Sequence, residues 1–429
     1  MNQNIADFGA VGDGRAMDTE AIQQAIDTCN QTGGGRVTVG PGTYLCGTIL
    51  VKSNVELHLQ MGARILGTDD MDAYLPIAKQ RGDVAKGHIY GLVCAQGAEN
   101  IAITGPGTID GGGVEAPPWQ EAKAMKVRPG VVFCVDCANV RIYDVSMLNT
   151  RMWTCHLLRC DYVAIRGITI RCNPEMANSD GIDPNGCRDV TISDSVIESG
   201  DDAICIKSTD GDRCENITVN NCILSTTCAA LKLGTESFGT IRNVSFNNCI
   251  VRESNIGLAA YMKDGGTFEN ITFSNVMMDV YGAFPIILDI TPRFYDEPTI
   301  GAVRNVSFDN VTVTGPGRCL IEGSAESPVE NVSFRNVTWI VTGPCNAAGS
   351  DKPAGAARVR LDPDRENYAT RRAQFIAAWA DGLVFRDIRI NYVDTPIDRG
   401  GIWAEKSQSI LAENILAPLA GGFEAVKQL

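Results

Sequence analysis

The chain has 429 residues, 44 of them Gly, and a formal net charge of -14 at pH 7. That acidity argues against nucleic acid or an anionic membrane surface as partner, and no apolar run is long enough to read as a membrane span. The 16 cysteines, in a chain whose first residues carry no apolar leader, predict a cytoplasmic protein with mostly free, buried thiols.

Residues 1–35 are predicted to form an N-terminal cap. Within them, "DTEAIQQAIDTC" puts Ile22, Ala25, Ile26 and Cys29 on one face of a short helix, with Asp18 as its N-cap. Further on, Cys134 and Cys137 make a C-x-x-C with no second pair to complete a zinc site. They read as buried structural cysteines.

From Tyr162 the phrases "YVAIRGITI", "DVTISDSVI", "NITVNNCIL", "NVSFNNCIV" and "NITFSNVMM" return at a step of 27 residues. The next two units, at Asn305 and Asn331, follow after 35 and 26 residues. Each unit alternates apolar and polar residues and turns at Asn, Asp or Gly. A unit this short cannot bury its own apolar face, but stacked units can. The predicted fold is therefore all-β: a parallel β-helix in one domain over residues 1–429, its open N-terminal end covered by the short helix. The N-x-S/T triplets at Asn216, Asn243, Asn270, Asn305 and Asn331 read as turn chemistry of this ladder, not as glycosylation sites. The repeat fades between Pro344 and Arg372, so residues 343–372 are predicted to be a long loop.

The stretch "NSDGIDPNGCRDVTISDSVIESGDDAICIKS", from Asn178 to Ser208, gathers Asp180, Asp183, Asp201 and Asp202. Crowded carboxylates repel one another, which raises at least one pKa. In the 27-residue phase, Ile204, Ile206, Leu231 and Leu233 point inward, while Lys207, Lys232, Tyr261 and Lys263 point outward. Asp180 is predicted one step before Lys207, and Asp201 and Asp202 lie at the turn ahead of "AICIKS". Carboxylates and cations are thus expected on one outer face. One protonated and one ionised carboxyl about 6.5–9.5 Å apart is the arrangement of an inverting glycosidase. Other uses fit the same residues. Asp183 alone is a common turn residue. Clustered carboxylates can hold calcium. Lys207 or Lys232 would suit the base of a β-helix uronate lyase or epimerase, and a non-catalytic carbohydrate-binding solenoid is a further alternative.

The phrases "ADFGAVGDG", "GGGRVTVGPGTYLCGTI", "AENIAITGPGTIDGGG", "RPGVVF" and "WTCHLLRC" look like one family's framework, and "NSDGID" and "SGDDAICIKS" look like its catalytic motifs. The chain resembles glycoside hydrolase family 28, the polygalacturonase and rhamnogalacturonase-like pectinases. The resemblance implies a right-handed parallel β-helix and inverting hydrolysis without metal or cofactor. Asp201 would be the general acid, with Asp180 and Asp202 holding the attacking water. Asn178, Asp183, Lys207, Lys232, Tyr261 and Lys263 would bind the sugar. The implied substrate is a pectin-derived or related acidic oligosaccharide, and the lack of an apolar leader favours short, imported chains and attack from the chain end.

Two motifs depart from the pattern. The G-H-G expected near Ser225–Ala230 reads "STTCAALKLGTES", and the three histidines, His58, His88 and His156, lie elsewhere. The R-I-K motif reads "YMK", so Tyr261 replaces the Arg and Lys263 is kept. "CAALKLG" and "AAYMKDGG" are similar to the rhamnogalacturonan-hydrolase branch. Weak activity on long polygalacturonan is expected. His156 lies in a framework phrase and reads as a packed, hydrogen-bonded side chain.

Overall fold

The computed structural model describes residues 2–80, 87–292, 299–344 and 368–429. Most of the predicted loop at 343–372 lies outside the described residues. The chain divides into two compact units, Met1–Ala203 and Ile204–Leu429.

In the first unit, alternating Val and Ile residues stack coil on coil. Strands Ala138–Tyr143, Asp161–Arg166 and Arg188–Ser193 run parallel, with Val140 beside Val163 and Val163 beside Val190. A second parallel sheet joins Gly91–Gln96, Gly130–Val135, Cys155–Leu158 and Ile182–Asn185. Neighbouring strands about 4.8 Å apart bring like side chains into contact, so the inward columns are closed to solvent.

The predicted helix spans Thr19–Gln31, and Ile22, Ala25, Ile26 and Cys29 are its buried face. It packs against strands Asn2–Asn4, Gly35–Val39, Ile49–Leu50 and Val55–Leu59. Asp18 stands at the N-cap position but makes no side-chain cap bond. Its carboxylate accepts instead from Val11 N (2.7 Å) and Gly12 N (3.1 Å). The backbone explains this correction. Asp18 has φ -99° and ψ 2°, far from the extended geometry that turns a capping side chain back onto its helix.

In the second unit, strands Thr240–Asn247, Thr267–Val280, Ala302–Gly315, Val329–Val341 and Ala380–Tyr392 lie in parallel register. Phe246, Phe273, Phe308, Phe334 and Phe385 form one stack along them, with centroids 4.9, 5.0, 4.5 and 5.3 Å apart. At the turn, Asn243, Asn270, Asn305 and Asn331 each donate from the side-chain amide to the Asn of the preceding coil, at 3.0–3.2 Å. All sit in the left-handed region, which Asn tolerates better than most residues. The triplets therefore do serve the turn. A second sheet runs through Ile204–Ser208, Ala229–Ser237, Ile256–Met262 and Ile286–Ile290, with Ile206 beside Leu233 and Leu233 beside Ala260.

Among the described residues the cysteines are thiols, and all but the half-buried Cys172 are buried. Cys137 donates its thiol to Val135 O (3.2 Å).

Candidate active site

Two turns of the first unit carry the carboxylates: residues 172–181, ahead of strand Ile182–Asn185, and residues 200–203, after strand Val196–Ser199. Ser179 ties them together, donating to Met176 O (2.8 Å) and accepting from Gly200 N (3.1 Å). Gly181 and Gly200 allow the close approach. A Cβ on Gly181 would lie 2.4 Å from Ala203 O, and one on Gly200 would lie 2.6 Å from Pro174 O. Gly181 N donates to Asp202 O (2.8 Å) and Ile182 N to Ala203 O (3.0 Å).

These bonds set Asp180 level with Asp202. The 27-residue phase predicted from the sequence does not hold for Asp180, because the turn 200–203 is tighter than the turn 172–181. Asp180 and Asp202 bring carboxylate oxygens within 4.8 Å of one another, and so do Asp201 and Asp202. Asp180 is 2% exposed and Asp202 1%, while Asp201 is half-buried. Two buried carboxylates this close favour a state in which they share a proton or draw on a nearby cation.

A cation that acts on Asp180 and Asp201 is Arg128, which lies within the framework phrase "RPGVVF". Its buried guanidinium donates to Arg151 O (3.0 Å), to Asn178 Oδ1 (3.2 Å) and to Ala177 O. Burial brings its pKa down to about 10, against the attraction of Asp180 and Asp201. Asn178, at φ 56°, passes the link on, its Nδ2 donating to Asp201 Oδ2 (3.4 Å). Asp201 Oδ1 accepts from Asp202 N (3.1 Å), and Ser199 Oγ donates to Asp201 O (2.8 Å). No signal within "RPGVVF" marks this role, since the partner amide lies 50 residues further on.

Asp183 lies in register with His156. His156 stacks on Phe133 (4.9 Å), meets Trp153 edge-on (4.8 Å) and lies 3.2 Å from the Asn185 amide. It is packed and hydrogen-bonded, as expected from the sequence.

In the second unit, the predicted sugar-binding side chains are buried in their own contacts. Lys207 pairs with Glu236 (3.6 Å), and Lys263 pairs with Asp289. Lys232 Nζ lies 5.6 Å and Lys263 Nζ 5.4 Å from the centre of the Tyr261 ring, so two cations flank that ring. Glu236 and Asp289 gave no sign in the sequence. Cys228, Ala229 and Ala230, where the family's His is missing, are buried.

The sequence profile described as Glycosyl hydrolases family 28 matches residues 29–356. The chain belongs to this family. It is 32% identical over 215 residues to a probable polygalacturonase of Vitis vinifera, an overlap of 48% of this chain and 44% of that one. The chain thus spans about half the length of the curated relatives it matches. Among solved structures, it is similar to a hyperthermoactive exopolygalacturonase from Thermotoga maritima, at 28% identity and a TM-score of 0.70, covering 80% of this chain and 87% of that one. It also shares its fold with a family 28 exopolygalacturonase from Yersinia enterocolitica, at 20% identity and a TM-score of 0.74, covering 96% and 78%. The fold is the right-handed parallel β-helix of these family 28 enzymes.

Proposed function

We propose that the chain is an inverting glycoside hydrolase of the polygalacturonase type, exo-acting on a pectin-derived or related acidic oligosaccharide. The observation that carries this reading is the facing pair Asp180–Asp202 with the more exposed Asp201 beside it. Membership of family 28 and the likeness to an exopolygalacturonase support it.

In this mechanism Asp201 gives its proton to the glycosidic oxygen as the bond to the anomeric carbon breaks. Asp180 and Asp202 hold a water between them and take its proton as its oxygen attacks the opposite face of the sugar. One water is consumed, and the proton returns to Asp201 through solvent. The oxygen separations within 4.8 Å are shorter than the ~6.5–9.5 Å usual between the carboxyl groups of inverting enzymes. The product anomer is therefore the deciding measurement. NMR of freshly released sugar is expected to show the inverted anomer. The retained anomer would make one of the carboxylates a nucleophile and overturn the inverting reading.

With Lys263 paired to Asp289, Lys232 beside the Tyr261 ring supports an acidic sugar held by a point charge instead of an arginine fork. Long polygalacturonan is expected to be a poor substrate beside a panel of short acidic and rhamnogalacturonan-type oligosaccharides. A kcat/KM on polygalacturonan within about tenfold of the best panel member would remove this specificity. A chelator is expected to leave activity intact, whereas loss restored by calcium would favour a uronate lyase. We place the enzyme in the cytoplasm, acting on imported short chains, and activity confined to the culture medium would contradict this.

A further inference from the structure

Arg128 reaches the carboxylates along two routes. Through hydrogen bonds, its Nη1 donates to Asn178 Oδ1 and its Nη2 to Ala177 O, the backbone just before Asn178. An amide oxygen engaged by a guanidinium must turn its NH2 the other way, and here the NH2 donates to Asp201 Oδ2. An unassisted Asn could flip and present its oxygen to Asp201, where it would repel a carboxylate. Through space, Arg128 is a buried positive charge whose attraction is felt at Asp180 and Asp201.

We propose that Arg128 is a positioning residue for hydrolysis: it locks the Asn178 amide toward Asp201, and its charge sets the pH range over which Asp180 and Asp201 hold their working protonation states. The proposal rests on the acid and base roles given above.

The charged and titratable groups around it come from four segments. The turn 172–181 supplies Asp180, the thiol of Cys172 and the exposed Glu175. The turn 200–203 supplies Asp201 and Asp202. Arg151 offers Arg128 its carbonyl, while its own guanidinium is committed to Asp69 and to the Gly111 and Gly112 carbonyls. From its own segment, Lys123 Nζ lies over the Trp119 ring, 4.2 Å from its centroid, and Lys126 is exposed. Arg128 donates to Asn178 Oδ1. With a pKa of about 10 it stays charged throughout the working range of a glycosidase.

The sign follows from this charge. A fixed cation favours ionised carboxylates, so removing it raises the pKa of both Asp180 and Asp201. The acid limb of the rate profile, where the water-holding carboxylates must ionise, moves to higher pH. The alkaline limb, where Asp201 must keep its proton, moves the same way. A purely structural arginine would lower turnover without moving either limb.

The experiment compares the full chain with Arg128→Gln and Arg128→Lys on the best oligosaccharide substrate, measuring kcat and KM against pH, with circular dichroism to confirm folding. Arg128→Gln is expected to shift both limbs upward by about one pH unit, the lower end for loss of a neighbouring charge, and to lower kcat at the optimum. Arg128→Lys keeps the charge and loses the fork, so its limbs should stay in place while kcat falls. A folded Gln variant with unmoved limbs, or a Lys variant that shifts as far as the Gln variant, overturns the proposal. Should the Gln variant not fold, Asn178→Ala decides: it removes the bridge and keeps the charge, so kcat should fall at least about tenfold with the limbs in place, and unchanged kcat overturns the proposal. Asp201→Asn, measured in parallel, separates the two readings. Full turnover in that variant overturns the acid assignment and this proposal with it. Loss there, with unmoved limbs in Arg128→Gln, overturns the Arg128 proposal alone.

Discussion

Asn270 shows how much a single turn residue does in this chain. It holds φ at 58°, donates to Asn243 Oδ1 (3.1 Å) and accepts from Asn305 Nδ2 (3.0 Å). Replacement by Ala removes both bonds and the short polar side chain that lets Asn adopt the left-handed region, where an ordinary L-residue is disfavoured by roughly 1–2 kcal/mol. Asn270→Gly removes the bonds but relaxes the backbone, so it should recover about half of that loss. Urea unfolding midpoints of the two variants test this, and equal midpoints would show that the backbone contributes nothing. At the same scale, Asp201→Asn is expected to lower kcat by at least ~10²-fold while leaving the fold intact, because the side chain is half-buried at a turn. Near wild-type turnover would remove Asp201 from the acid role. The Asn ladder was legible because its members open the same alternating phrase in coil after coil. The Arg128–Asn178 link was not, because a single contact between distant segments leaves no period.

Among the elements, the phenylalanine column of the second unit and the paired turns of the first make opposite demands. Phe308 stacks between Phe273 and Phe334 at 5.0 and 4.5 Å and is fully buried. Phe308→Ala would leave a cavity between two rings and should cost about 3–5 kcal/mol. A loss under ~1 kcal/mol would mean that the column collapses to fill the space. The turns depend instead on the absence of side chains. Gly181→Ala would drive a Cβ to 2.4 Å from Ala203 O, which accepts from Ile182 N, and 2.6 Å from Ile197 Cγ2, in strand Val196–Ser199. The turn 172–181 must then move away from the turn 200–203 and take Asp180 with it. kcat is expected to fall by more than tenfold, with a smaller effect on the thermal midpoint. A variant with wild-type kcat would show that the two turns tolerate separation.

For the whole molecule, the repeat predicts that coils fold by leaning on their neighbours. We propose that residues 1–429 form a single solenoid domain that unfolds as one cooperative block. Calorimetry should then give one endotherm, and two separated endotherms, each lost by truncating a different unit, would establish independent domains. The acidic balance of the chain also belongs to this scale. With a net charge of -14, the molecule repels an anionic polymer at long range, and salt should therefore speed its encounter with acidic substrates. A kcat/KM on an acidic oligosaccharide that falls as salt rises would show that local cations govern the encounter instead.

The sequence by itself determined the coil architecture, the burial of the helix face Ile22, Ala25, Ile26 and Cys29, the Asn ladder and the identity of the three catalytic candidates. Each is written in a period or a short motif, and a solenoid turns sequence spacing directly into spatial neighbours. Tertiary structure decided what spacing could not encode. Asp18 serves the loop at Val11 and Gly12 instead of its own helix, since its backbone points the carboxylate there. Asp180 sits level with Asp202, because turn lengths differ and two glycines let the turns touch. Lys207 and Lys263 are held by Glu236 and Asp289, and Arg128 joins the carboxylates through Asn178. Burial makes each of these charges seek a partner. Which partner it finds depends on how the irregular turns fold, and the repeat does not extend to them.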